Sequence, residues 1–185
     1  IDHHILDQLS DESILGLSLT TVSHTLNFQS SVATDQDKKI YDILSHEMKR
    51  RWLWHDTIVS DYFSELEKHI TSNIEEAFTN DTKYAMKIGS IVCSITQCEV
   101  RNGQHFINMQ KDIIEEWLAW LSNNSHAFVT IISTAEGKNY IFSHDPLIQK
   151  QLAEITGGIR KDNFLITDTL WMRKELVREL IKLNR

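Results

Sequence analysis

Between Asp37 and Phe78 apolar residues recur with the period of an α-helix: Tyr41, Leu44, Met48, Trp52, Val59, Tyr62, Leu66, Ile70 and Ile74 stand mostly three, four or seven residues apart. No other feature of the chain constrains its folding as strongly. One continuous helix over this stretch would be about 60 Å long. The segment Thr79-Asn80-Asp81-Thr82 then supplies a turn and a new N-cap. A second helix is expected from Thr82 to about Val100, with Tyr84, Ile88, Ile91 and Ile95 on one side and Arg101-Asn102-Gly103 as its C-cap. These two helices form a long hairpin.

The flanks are shorter. Two small helices are expected before Phe28, the second capped by Ser10 or Asp11, and a loop follows that ends in an N-cap at Thr34 or Asp35. A helix carrying Phe106, Ile113, Trp117 and Leu121 closes the helical part. After Asn124 the pattern changes to β-branched runs. His126–Ser133 and Asn139–Ser143 read as a β-hairpin turning at Gly137. Asp145 caps a helix with Pro146 at its first position and Gly157-Gly158 at its end. Asp162–Asp168 reads as a third strand, and an amphipathic helix ends the chain. The expected fold is therefore mainly α: a long helical hairpin or bundle over residues 1–124, with a small C-terminal α/β element (β-hairpin, helix, strand, helix) over 125–185 packed with it.

Composition narrows the classes. In 185 residues, 41% hydrophobic and 24% charged side chains describe a soluble globular chain, and a single proline with six glycines favours long helices. A net charge of −7 opposes attraction to polyphosphate backbones, so nucleic acid is not expected as a partner. No apolar run approaches the roughly 18 residues a membrane span needs. Cys93 and Cys98 fall on the expected second helix, too far apart to bridge, and two thiols without a framework suit the cytoplasm or another reducing intracellular compartment. The opening on Ile1 reads as a fragment or processed form.

The densest chemistry is Leu44–Asp56, which holds His46, Glu47, Lys49, Arg50, Arg51, Trp52, Trp54 and His55. On a continuous helix His55 falls within the apolar stripe and His46 points almost opposite. Ser45-His46-Glu47-Met48-Lys49-Arg50 resembles the phospho-acceptor box of the dimerising histidine-phosphotransfer domains of sensor kinases. That resemblance implies His46 as acceptor and Glu47 as the carboxylate that takes its ring proton. Arg50 and Arg51 stand where that family places a small polar residue and a proline. Arg50 and His55, with four residues between them, also resemble the Arg-x4-His pair of HEPN-type helical ribonucleases, which implies attack by a ribose 2′-hydroxyl.

The remaining clusters are weaker. Asp2-His3-His4 lacks further ligands in pattern, and Cys93, Cys98 and His105 have no zinc-finger spacing, so no metal and no cofactor are expected. Gly157-Gly158 followed by Arg160 and Lys161 suits an anion cradle, but a helix C-cap explains the same glycines. The last helix sets Arg173, Lys174, Arg178, Lys182 and Arg185 against Glu175 and Glu179, as a solvated face would.

No catalytic constellation outweighs these structural readings. The expected role is a non-catalytic regulatory or scaffold protein, acting on a protein partner or as a homodimer through Trp52, Trp54, Trp117 and Trp120. Histidine phosphotransfer is the second reading and helical ribonuclease the third.

Overall fold

The structure, a computed structural model, describes residues 3–123 and 125–185. They fall into two compact units, Ile1–Glu65 and Leu66–Arg185.

The first unit is helical. It contains α1 (His3–Leu6), α2 (Asp11–Thr25), α3 (Asp35–Arg50) and the opening of α4 (Ile58–Ser72). Ser10 caps α2 by accepting the Ser13 amide, and Thr34 with Asp37 forms a capping box on α3. Leu6, Ile14, Leu44, Met48 and Ile58 make the core.

The expected long helix is broken in its middle. After Arg50 the chain turns through Trp52, a non-glycine residue at φ 59°, and the Leu53 amide reaches back to the Met48 carbonyl at 2.9 Å. This is the left-handed stop that usually takes glycine, and periodicity is blind to it because the turn preserves the apolar spacing. His55 therefore lies exposed beyond the helix instead of inside an apolar stripe.

The second unit corrects the fold class. After α5 (Ile74–Asn80), the stretch expected as the hairpin's second helix is two strands, β1 (Thr82–Ile88) and β2 (Ile91–Val100). They are joined across Gly89-Ser90, with Gly89 at φ 60°. The chain continues through α6 (Gly103–Ser122), β3 (His126–Ser133), β4 (Lys138–Phe142), α7 (Pro146–Thr156), β5 (Ile159–Lys161), β6 (Phe164–Ile166) and α8 (Arg173–Leu183). One six-stranded sheet results, in the order β1-β2-β3-β4-β6-β5. Its β2–β3 pair is parallel, with α6 as the crossover, and the other pairs are antiparallel. The protein is thus mixed α/β around a large sheet, and residues 125–185 are strands and helices of that sheet rather than an appended element.

Alternation along the strands builds a core on each face. Cys98, Val100, Ala127, Val129, Ile131, Tyr140, Phe142 and Phe164 pack on one side with α5 and α6. Ile88, Cys93, Ile95, Phe128, Ile141 and Leu165 pack on the other with α7 and α8. Asn102 begins α6 by accepting the His105 amide at 2.9 Å, so Arg101-Asn102-Gly103 starts a helix instead of ending one. Among the described residues no helix is long and apolar enough to cross a membrane.

Candidate functional site

In open α/β sheets ligands favour the carboxyl ends of parallel strands. Here that end is filled by the chain itself. Glu136 accepts the Gln104 amide at 3.2 Å and hydrogen bonds from Ser133 and Tyr140, while Ser133 Oγ accepts the Gly103 amide at 2.9 Å. Glu67 accepts the amides of Arg101 and Asn102. The donors that an external anion would use at the start of α6 are occupied.

The glycines after α7 are a helix stop. Gly157, at φ 64°, donates its amide to Ala153, and the Gly158 amide goes to Thr156 Oγ1 at 3.1 Å. Neither amide is left for an anion. The side chains that follow have a different character. Arg160 and Lys161 are both exposed on the edge strand β5, which pairs with β6 across a turn at Asp162, φ 53°. Arg160 makes one long hydrogen bond, Nε to the Asp162 carbonyl at 3.4 Å. By contrast Arg50, Arg51, Arg173, Arg178 and Lys182 are all held in ion pairs with carboxylates.

Arg160 also lines a small depression with Gln149 and Asn163, floored by Ile141, Phe164 and Leu165. Glu115 orients the amide of Asn163: one carboxylate oxygen accepts Asn163 Nδ2 and the other lies 2.6 Å from His144 Nε2. Asn163 Oδ1 is left buried without a hydrogen-bond partner. Arg160 can give a planar pair of N–H donors to a phosphoryl oxygen, and Lys161 a point charge.

A second polar cluster lies on the face of β2 toward α8, and sequence reasoning missed it. Gln97 accepts the Arg173 amide and donates to Glu99, while Arg173 pairs with Asp81 at 2.8 Å. Burial, with the nearby Asp81 charge, pushes the Glu99 carboxyl up to about 7. The sequence signal was available in the alternation of Gln97 and Glu99 along β2, but it was read at helical period.

The residues singled out from sequence are dispersed. His46 is exposed on α3. Glu47 is buried and turned to Arg50 and Arg51, at 2.6 to 2.8 Å, which hold its carboxyl down to about 2. Its oxygens are thus committed to the arginines. Arg50 is tied to Glu47 and Asp7, and His55 lies 3.2 Å from Thr57 Oγ1.

Trp52 is 93% exposed, and Trp54 is half-buried with Lys49 Nζ 4.9 Å from its ring centre. In the second unit Trp117 is half-buried and donates to Thr96 at 2.9 Å. Trp120 is 55% exposed, with its ring 5.1 Å from Trp117 and edge-on to Tyr84. Cys93 and Cys98 are buried free thiols, and burial raises both above the ordinary thiol range. The side chains of Asp2-His3-His4 lie outside what is described. Among the described residues no three His, Cys, Asp or Glu converge as metal ligands would.

The sheet order and the two helical faces define an α/β fold that has a counterpart among solved structures. The chain superposes on a Methanococcus jannaschii protein assigned as a family II inorganic pyrophosphatase, with TM-score 0.72 and 16% identity over 95% of this chain and 57% of that one. An exopolyphosphatase-related protein from Bacteroides fragilis matches more loosely, with TM-score 0.39 and 13% identity over 88% of this chain and 47% of that one. The chain thus spans about half the length of either protein. No family model and no curated protein matches the sequence.

The first of these likenesses overturns the expected scaffold. A non-catalytic helical bundle was inferred from a hairpin that does not form, and the backbone instead has the fold of a protein assigned as an enzyme. Phosphotransfer depended on the same hairpin, and the ribonuclease reading on Arg50 and His55 sharing one helix, which ends at Arg50. The hairpin's second helix is β1 and β2, so neither reading keeps the helical frame it was drawn from.

Proposed function

We propose that the chain is the substrate-gripping part of a hydrolase acting on phosphoanhydride bonds, with inorganic pyrophosphate as the simplest substrate. The observation that carries this reading is the backbone likeness to the pyrophosphatase-assigned protein over 95% of the chain. The exposed Arg160 and Lys161 support it. A substrate with several negative charges needs cations that are not already neutralised, and a chain of net charge −7 presents two adjacent ones on a sheet edge. Arg160 would hold the phosphoryl oxygens, and Lys161, which leaves β5 on the opposite face, would add its positive charge at the same sheet edge. The test is phosphate release from pyrophosphate and from linear triphosphate, with and without a divalent cation. Release that falls by about 10- to 100-fold in Arg160→Gln supports the reading. Release by wild type that is unchanged in both Arg160→Gln and Lys161→Gln would remove these residues from the site.

A protein partner or second copy is proposed at Trp120 and Tyr84. These rings stand 55% and 46% exposed, with Tyr84 on the edge strand β1. Sedimentation of Trp120→Glu against wild type tests this, and equal masses at every concentration would count against self-association. Placement in a reducing compartment rests on the two unpaired thiols and is a proposal of the same kind.

A further inference from the structure

A different cleft, of about 490 Å³, opens at the amino ends of the parallel strands. Its walls are Ser90 to Val92 at the start of β2, Ser122 at the end of α6 with Ser125 beyond it, and the pair His126 and Asp145. This volume lies within the roughly 300–1,000 Å³ typical of small-molecule sites.

The hydrogen bonding fixes what the walls offer. Asp145 caps α7 with Oδ1, which accepts the Leu147 amide at 2.8 Å and the Ile148 amide at 3.3 Å, and it binds His126 Nδ1 through Oδ2. Against the burial that would raise it, the His126 imidazole and then the helix amides hold its carboxyl below the usual range. An ionised carboxylate only accepts, so Nδ1 of His126 donates to it, and in the neutral imidazole Nε2 is then the acceptor. Nε2 has no partner among the described residues, and the His126 side chain is 34% exposed. Ser122 spends its proton on the Leu118 carbonyl at 2.8 Å, and Ser125 is bonded to Ser94 Oγ at 2.9 Å and to Leu121. Lone pairs therefore dominate the polar wall, behind it stands one carboxylate, and Ile91 and Val92 add apolar surface. Among the described residues no lysine or arginine lines the cleft. Lys87, the cross-strand neighbour of Val92, is not part of the wall.

We propose that this cleft binds a primary ammonium ligand: His126 Nε2 and the Ser122 and Ser125 oxygens accept its N–H groups, and Asp145 supplies the opposing charge. An ammonium carries three donors and no acceptor, which complements a wall of acceptors, and the net charge of −7 draws cations toward it. The same wall disfavours phosphates, so this site is chemically opposite to Arg160 and Lys161 and does not depend on the phosphoanhydride reading.

The experiment follows the His126 ring by nuclear magnetic resonance during titration with 1,4-diaminobutane, tetramethylammonium and pyrophosphate. The expected result is a saturable shift with 1,4-diaminobutane, half-complete below about 1 mM, and a response at least about 10-fold weaker with tetramethylammonium, which has the charge but no N–H. Val92→Lys changes an exposed position and leaves the dyad intact, and it should abolish the response. Calorimetry on His126→Gln should show at least about 10-fold weaker binding with unchanged circular dichroism. Equal responses to tetramethylammonium, a response to pyrophosphate instead, or no saturation by about 20 mM 1,4-diaminobutane would overturn the assignment.

Discussion

Gln97 and Arg173, 76 positions apart in the chain, meet where the Arg173 amide donates to Gln97 Oε1 at 2.7 Å. The other end of the same side chain, Nε2, donates to Glu99 at 3.0 Å. One amide group therefore fixes the start of α8 against β2 and sets the surroundings of a carboxyl that burial has raised to about 7.

That arrangement predicts a pH-dependent stability. Glu99 binds its proton more tightly folded than unfolded. Its contribution is fully present below the unfolded value of about 4.3 and is lost as pH rises through about 7. Glu99→Gln keeps the shape and removes the charge. It should be more stable than wild type at pH 8, by about 1–3 kcal/mol, and nearly equal at pH 4.5. Urea unfolding at the two pH values measures this, and a variant less stable than wild type at pH 8 would show Glu99 to be favourably ionised.

Asn139 is fully buried on β4 and uses its whole amide: Nδ2 donates to Thr130 Oγ1 at 2.9 Å and to the Trp171 carbonyl at 2.8 Å, and Oδ1 accepts the Trp171 amide at 2.9 Å. Asn139→Ala strands these partners in the interior and should cost about 2–4 kcal/mol in chemical denaturation. A loss under about 0.5 kcal/mol would mean that water replaces the amide.

Gly103 begins α6 in a space that excludes a side chain. A Cβ there would sit 2.7 Å from Tyr140 Cε2 and 2.9 Å from Ser133 Cβ. Gly103→Ala should therefore destabilise by about 1–3 kcal/mol despite alanine's better helix propensity. The sign is the readout in thermal unfolding, and a raised midpoint would refute the close packing.

In the first unit, Glu47 holds Arg50 and Arg51, and Arg51 in turn donates to the Leu6 and Leu9 carbonyls at 2.7 and 2.8 Å. The Glu47 carboxyl is lowered to about 2, so its contribution is present above about 4.3 and disappears as pH falls through 2. Glu47→Gln should melt several degrees below wild type at pH 7, and the gap should close toward pH 2. A gap that does not change with pH would assign Glu47 a packing role alone.

Some of this fold was legible in the sequence for local reasons. Asp145-Pro146 and Gly157 bound α7 as helix chemistry requires, Thr34 caps α3, and the β-branched run of β3 announces a strand. Elsewhere the pattern misled. Tyr84, Ile88, Ile91 and Ile95 fit a helical period, yet Gly89-Ser90 makes a hairpin turn between them, and the β-branched content of Ile91-Val92 and Ile95-Thr96 was the better guide. Trp52 in a left-handed stop could not be foreseen, because the preference there is for glycine. Of the candidate site, the adjacency of Arg160 and Lys161 was visible. That no ion pair among the described residues holds them was not, nor was the approach of Glu115 to Asn163, 48 positions away, because both depend on tertiary pairing.

The most direct measurement is calorimetric binding of pyrophosphate to wild type and to the double variant Arg160→Gln/Lys161→Gln, which reads recognition even without turnover. If these two cations grip the substrate, wild type binds with a dissociation constant below about 1 mM and the double variant at least about 30-fold more weakly, with unchanged circular dichroism. Equal affinity in the two proteins would contradict a phosphoanhydride site on this edge of the sheet.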